Sequence, residues 1–159
     1  MSEGPAAPAA AGGYDAVVVR LGNGRFAIGL PHVAEVGRVP TLTRVPGLPG
    51  WMAGVGNWRG RILPALDLRS LLGAPTTALT GRSRLVVLTT DQHSVGLLVD
   101  AVEGTTPVVE AVEPFPAALP GGADLVAGQL PRADGPLAVL DVAAVMRLAD
   151  ALPRGRRSA

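Results

Sequence analysis

The residues of this chain best placed to do chemistry cluster in GWMAGVGNWRG, residues 50–60, where glycines surround two tryptophans and one arginine. A dinucleotide-binding loop needs G-x-G-x-x-G between a strand and a helix, so that the pyrophosphate meets the helix N-terminus. Here Gly54 and Gly56 fit, but Arg59 occupies the third position and Gly60 follows one residue late. The next segment, RILPALDL, reads as a strand containing proline, which leaves a phosphate no helix dipole. A Walker loop needs Gly-Lys-Ser/Thr, and all 14 basic residues are arginine. His32 and His93 lack a second histidine at ligand spacing, which speaks against a metal site. Asp67, Asp100 and Asp141 could be imagined as an acid–base set, but Asp67 and Asp141 stand where N-caps belong, and Asp100 ends an apolar strand. Ser70, Ser83 and Ser94 have no nucleophile-elbow motif around them. What this chemistry suits is surface recognition: an arginine fork that can hold carboxylates or backbone carbonyls, on a glycine-lined β module. A small ligand-binding or enzymatic β-barrel is the rival reading, and it requires converging polar groups in a deep pocket.

The elements that must hold such a surface are mostly strands. The chain has 159 residues, 48% hydrophobic, with only two Trp, two Phe and one Tyr, so its core is built from Val, Leu, Ile and Ala. No cysteine is present, which removes disulfides and thiolate chemistry. A formal charge of +1 gives no strong pull toward nucleic acid. No apolar run is long enough to span a bilayer, and a cytoplasmic location is expected. Residues 1–13, MSEGPAAPAAAGG, read as a disordered leader, and residues 151–159 as a basic tail.

YDAVVVRL and RFAIGL flank GNG and predict a hairpin; SRLVVLTT and HSVGLLVD flank DQ and predict a second. An offset of 68 places Val19 on Val87, Leu30 on Leu98 and Glu35 on Glu103. Further on, an offset of 74 lays ILPALDLRSLL (residues 62–72) over PLAVLDVAAVM (residues 136–146), each a strand ending in Leu-Asp before a short helix. Duplication and chance similarity among Val/Leu-rich strands both explain this; duplication would give two similar β units, barrels that remove exposed edges. The segments 44–51 and 112–125 read as turn and crossing loop. DVAAVMRLADAL reads as a helix with Val142, Val145, Met146 and Ala149 on one face, stopped by Pro153.

Three stretches in order, YDAVVVRLGNGRFAIGLPHVAEV, WMAGVGNWRGRILPALDLRSLLG and VGLLVDAVEG, resemble the CheW-like domain of bacterial chemotaxis. The family pattern of a glycine, Asn-Leu-Arg-Gly, an apolar strand with proline, and Asp-Leu-Arg stands here as Gly54, NWRG, Pro64 and DLR. The resemblance covers residues 14–150. It implies a mainly β fold of two SH3-like five-stranded barrels packed together, with short helices including one at the C-terminus. The lobes would span about 14–75 and 83–148, with strand exchange between them left open. It also implies a non-catalytic adaptor, without cofactor, between chemoreceptor cytoplasmic tips and the regulatory domain of a CheA-type histidine kinase. Some family members serve gliding or pilus pathways, or a single partner. By position, Val33, Glu35, Gly54, Asn57, Arg59 and Val102 match the receptor-binding surface, and Val39 and Leu42 the kinase-facing one. The plainer alternatives are core packing for Val33 and Val102, a solvated strand position for Glu35, turn geometry for Gly54 and Asn57, and an internal brace for Arg59. The chain departs from the pattern at Trp58, where Leu is usual, and at Gly37, Pro40 and Thr105.

Overall fold

The computed structural model describes residues 13–91, 93–110, 112–114 and 123–152. Residues 1–12 of the leader, the basic tail from residue 153 and most of the crossing loop lie outside them. Among the described residues there are eleven strands and one α-helix: β1 (Tyr14–Leu21), β2 (Gly24–Gly29), β3 (Val33–Gly37), β4 (Leu42–Thr43), β5 (Met52–Trp58), β6 (Arg61–Leu66), β7 (Arg84–Thr89), β8 (Ser94–Val99), β9 (Ala101–Val108), β10 (Val126–Leu130), β11 (Leu137–Leu140) and α1 (Val142–Asp150).

They form two sheets, ordered β10-β11-β2-β1-β9 and β3-β7-β8-β6-β5-β4. Relative to the approximate lobes 14–75 and 83–148, strands are exchanged, a possibility the sequence leaves open. The opening hairpin β1–β2 sits in the centre of a sheet completed by β9, β10 and β11, while β3 to β8 make the other sheet without a break. The larger sheet has six strands where five were expected, the sixth being the two-residue β4. Pairing is antiparallel except where β2 meets β11 and β6 meets β8.

The internal repeat is visible in hydrogen-bond register, which composition alone does not produce. Met52 faces Leu66 and Gly54 faces Ala65; 74 residues on, Val126 faces Leu140 and Gly128 faces Val139, each with a bulge at the same step. The Asp67 amide donates to the Trp51 carbonyl at 2.7 Å, and the Asp141 amide to the Leu125 carbonyl at 2.8 Å. The hairpins repeat less simply. Val17 faces Ile28 and Leu85 faces Leu98, so the counterpart of Leu98 is Ile28 and not Leu30. The second hairpin's turn is longer, which shifts its return strand. Likewise Glu35 faces Val87 whereas Val19 faces Val102, so the counterpart of Glu35 is Val102 and not Glu103.

Alternation along the strands explains why their sequences are apolar without a break. In β1, Ala16 and Val18 point into a core with Ala27, Leu130, Leu137 and Val139, inside their own sheet. Val17, Val19 and Leu21 point the other way, into a core shared with Leu88, Leu97 and Val99 of the second sheet and with α1. A strand apolar on both faces loses its period-2 signature. The helix is set by Asp141, whose carboxylate accepts the Ala144 amide at 3.1 Å, and it buries Val142, Ala144, Val145 and Met146. Replacing Asp141→Ala should cost about 1 kcal/mol, read as a lowered urea midpoint at unchanged slope. The counterpart Asp67 caps no helix. Residues 69–73 form turns, and its carboxylate is taken by Arg69.

Candidate functional site

The β5–β6 hairpin ends in the pair Trp58–Arg61, leaving Arg59 and Gly60 as a two-residue turn. Their φ angles are 52° and 81°, as a type I′ turn requires, and its twist matches the strands. Asn57 closes the turn by accepting the Gly60 amide at 3.0 Å on its side-chain oxygen. Arg59 is the only non-glycine residue with positive φ among those described, a conformation that costs roughly 1–2 kcal/mol for an L side chain. A residue held there at such a cost is pointed somewhere for a reason.

It points at Glu35. Arg59 Nε lies 2.8 and 3.0 Å from the two carboxylate oxygens, and Trp58 Nε1 donates to the same carboxylate. The Arg59 guanidinium stands 5.9 Å from the centre of the Trp58 ring. These hydrogen bonds, Arg59's first and Trp58's second, hold the Glu35 carboxyl below its ordinary range. The latch is therefore present at neutral pH and is lost as pH falls through that lowered value. Glu35 is on edge strand β3, separated from β5 by β7, β8 and β6 in the ladder. The contact thus curls the sheet on itself through side chains, over Leu63, Ala65, Leu85, Val87 and Leu98.

Beside the latch, β6 and β8 pair only at Ala65–Gly96 and Leu66–Leu97. Pairing starts directly after Pro64, which has no N–H to give a ladder. Before it the strands diverge around a cavity of about 710 Å³, lined by Glu35, Trp58, Arg59, Ile62, His93 and Asp150 among others. Ile62 is 71% exposed there.

The remaining expected residues are placed as follows. Asn57 is exposed beside the turn, where it accepts the Gly60 amide. Gly54 is buried: with φ 151°, it lets the Thr43 carbonyl cross at a place where a Cβ would stand 2.6 Å from that oxygen. Its position is steric, and so is that of its counterpart Gly128 beneath the Glu113 carbonyl. Val33 and Val102 are half-buried against the shared core, from different sheets. Val39 and Leu42 are half-buried against the inner core of the six-stranded sheet. Thr105 is exposed on β9.

Two arrangements were not foreseen. Arg69, whose side chain is 4% exposed, binds Asp67 through Nε and Nη2 at 2.9 and 2.8 Å and Asp100 through Nη1 at 2.8 Å. Asp100 also accepts the Gly22 amide at 2.6 Å. Two of the three carboxylates considered for acid–base work are thus brought together, but around one guanidinium that ties the β1–β2 turn to the other sheet. The second is an ion pair in the other half, at positions that are not the counterparts of the latch residues: Arg132, in the β10–β11 turn, pairs with Glu110 and donates to the Pro107 carbonyl at 3.1 Å. Arginine in the corresponding turn of each half was the available signal.

Two β sheets on a common core, with an arginine–carboxylate latch at a hairpin tip, define a mainly β domain of two sheets. The model of the CheW-like domain matches residues 15–150, and the chain belongs to that family. It is 34% identical over 106 residues to the probable chemotaxis protein CheW of Rhizobium etli, covering 66% of this chain and 68% of that protein. It is 35% identical over 100 residues to protein PilI of Pseudomonas aeruginosa, covering 63% of this chain and 56% of that one. Protein FrzA of Myxococcus xanthus is 34% identical over 113 residues, 70% of this chain and 68% of that protein. The crystal structure of the scaffolding protein TtCheW from Thermoanaerobacter tengcongensis superposes with a TM-score of 0.72 at 26% identity, over 80% of this chain and 88% of that one.

Proposed function

We propose that this chain is a non-catalytic cytoplasmic adaptor that couples the helical cytoplasmic tip of a chemoreceptor to the regulatory domain of a CheA-type histidine kinase. The observation that carries this reading is the Glu35–Arg59 latch, an exposed and oriented charge pair on a family scaffold. Glu35, Asn57 and Arg59 face the receptor, with Val33 and Val102 as apolar contacts and Gly54 keeping the strand crossing beneath them in place. Val39 and Leu42 face the kinase. Each contact buries on the order of 1,000–1,600 Å² in total, the size of signalling encounters. Relatives that include PilI and FrzA favour, as a second reading, a pilus or gliding pathway served by the same fold.

Pull-downs with the receptor tip and the kinase regulatory domain, separately and together, test this. Capture of both at once supports the coupling role, capture of one alone supports a single-partner protein, and capture of neither overturns it. Arg59→Ala should keep the fold and weaken receptor-tip binding by about 1–2 kcal/mol, roughly 5–30-fold in Kd. An unchanged titration with folded variant removes Arg59 from the contact.

A further inference from the structure

We propose that Trp58 is the positioning residue of the latch: its ring seats in the notch left by Gly37, and its Nε1–H holds Glu35 facing the Arg59 guanidinium. A Cβ on Gly37 would overlap the edge of the Trp58 ring, so the absent side chain there is the seat of this indole. Three features of β3 and the hairpin, Gly37, Glu35 and Trp58, are therefore one device. Arg59 alone does not supply it. Its side chain is 73% exposed, and an ion pair so open to solvent is screened and fixes little geometry. The indole is rigid, half-buried against the inner core, and a donor only, so it commits the carboxylate it bonds to one orientation. Arg59 then meets that carboxylate with Nε while its guanidinium lies over the indole. Glu35 Oε2 serves both donors, which makes the seating of the ring and the ionisation of Glu35 mutually dependent.

This deepens the adaptor reading, because it concerns residues assigned there to the docking surface; its test needs no partner. The groups around Glu35 are Trp58 and Arg59 from the hairpin, with Arg61, His93 and Asp150 lining the same cavity; β7 presents Val87 and Thr89, which do not titrate. The experiment is NMR on the full chain labelled with ¹⁵N and ¹³C. It gives two indole N–H resonances, from Trp51 and Trp58, assigned with Trp51→Phe. At neutral pH, Glu35→Gln should move the Trp58 indole proton upfield and leave that of Trp51 in place. On acidification, the Trp58 indole and the Glu35 side-chain carboxyl carbon should titrate together, with a midpoint below the ordinary carboxylate value. Trp58→Phe removes the indole N–H and the far ring edge that fills the notch at Gly37, and should raise the Glu35 midpoint toward that value. A Trp58 resonance indifferent to Glu35→Gln overturns the proposal, as does a Glu35 midpoint unmoved by a folded Trp58→Phe. Should Trp58→Phe not fold, the Glu35→Gln spectrum alone decides. A parallel titration with the receptor tip separates the two readings: no binding by the parent chain defeats the docking assignment and leaves the coupling of Trp58 to Glu35 standing. With binding present, Trp58→Phe should raise Kd by roughly 3–10-fold, and an unchanged Kd would overturn its role in docking.

Discussion

Replacing Arg69→Met lowers the stability of this protein by about 3–5 kcal/mol, because it strands two carboxylates around a space that had held their only shared cation. Arg69 is buried at 3% exposure, so water cannot take its place cheaply. Asp67 loses both of its guanidinium bonds, and Asp100 keeps only the Gly22 amide. The loss appears as a lower urea midpoint, and as a melting temperature lower by roughly 6–20 °C. Adding Asp67→Asn to the variant should return part of that loss, since the remaining cost is desolvated charge rather than missing packing. A loss below about 1 kcal/mol, or no recovery in the double variant, contradicts this account. Receptor and kinase binding by whatever fraction remains folded should be unchanged, because the cluster lies within the fold.

Gly54→Ala should have the second-largest effect, about 2–4 kcal/mol. The new methyl carbon would stand 2.6 Å from the Thr43 carbonyl oxygen, and the backbone keeps a φ of 151° that alanine resists. The strand crossing must lift, and it carries Leu42 with it, since Leu42 pairs with Gly56 on the same strand. The variant that still folds should therefore bind the kinase regulatory domain more weakly, although Gly54 itself reaches no surface. Gly128→Ala, its counterpart under the Glu113 carbonyl, should destabilise comparably and leave kinase binding alone. Equal losses of binding in both variants would show that the effect is global instability and not displacement of β4.

These two sites also mark how far the sequence could be read. Local features were legible: the Gly22–Asn23 turn, the Asp141 cap and the apolar face of α1 are all written in neighbouring residues. Partner choice among strands was not. The β1–β2 hairpin is apolar on both faces, and such a pattern does not say whether the strands beside it come from residue 35 or residue 105. The exchange of strands that the approximate lobes left open is what the strand order shows: a sheet whose members lie at both ends of the chain. Asp-Leu-Arg at 67–69 misled for another reason. An aspartate before apolar residues reads as a helix cap, and the same letters also write a carboxylate clasped by an arginine two residues on. For the candidate site, the family pattern singled out Glu35 and Arg59 as two separate positions, and their pairing, with the carboxylate between two donors, depends on how β3 and the β5–β6 hairpin meet in space. Trp58 stood out in sequence as a departure; what it needed was Gly37, twenty-one residues away on a strand it does not pair with.

The order of the two sheets also imposes a schedule on the ribosome. The six-stranded unit is complete once residue 99 has emerged, but the hairpin made first has no finished sheet until β11 is released, about 110 residues after its own last residue. At roughly 5–20 residues per second that is an interval on the order of 5–20 s. Through it, a two-sided apolar ribbon must rest against the half already folded or be sheltered by a chaperone, so the nascent chain is most vulnerable to aggregation at the β1–β2 hairpin.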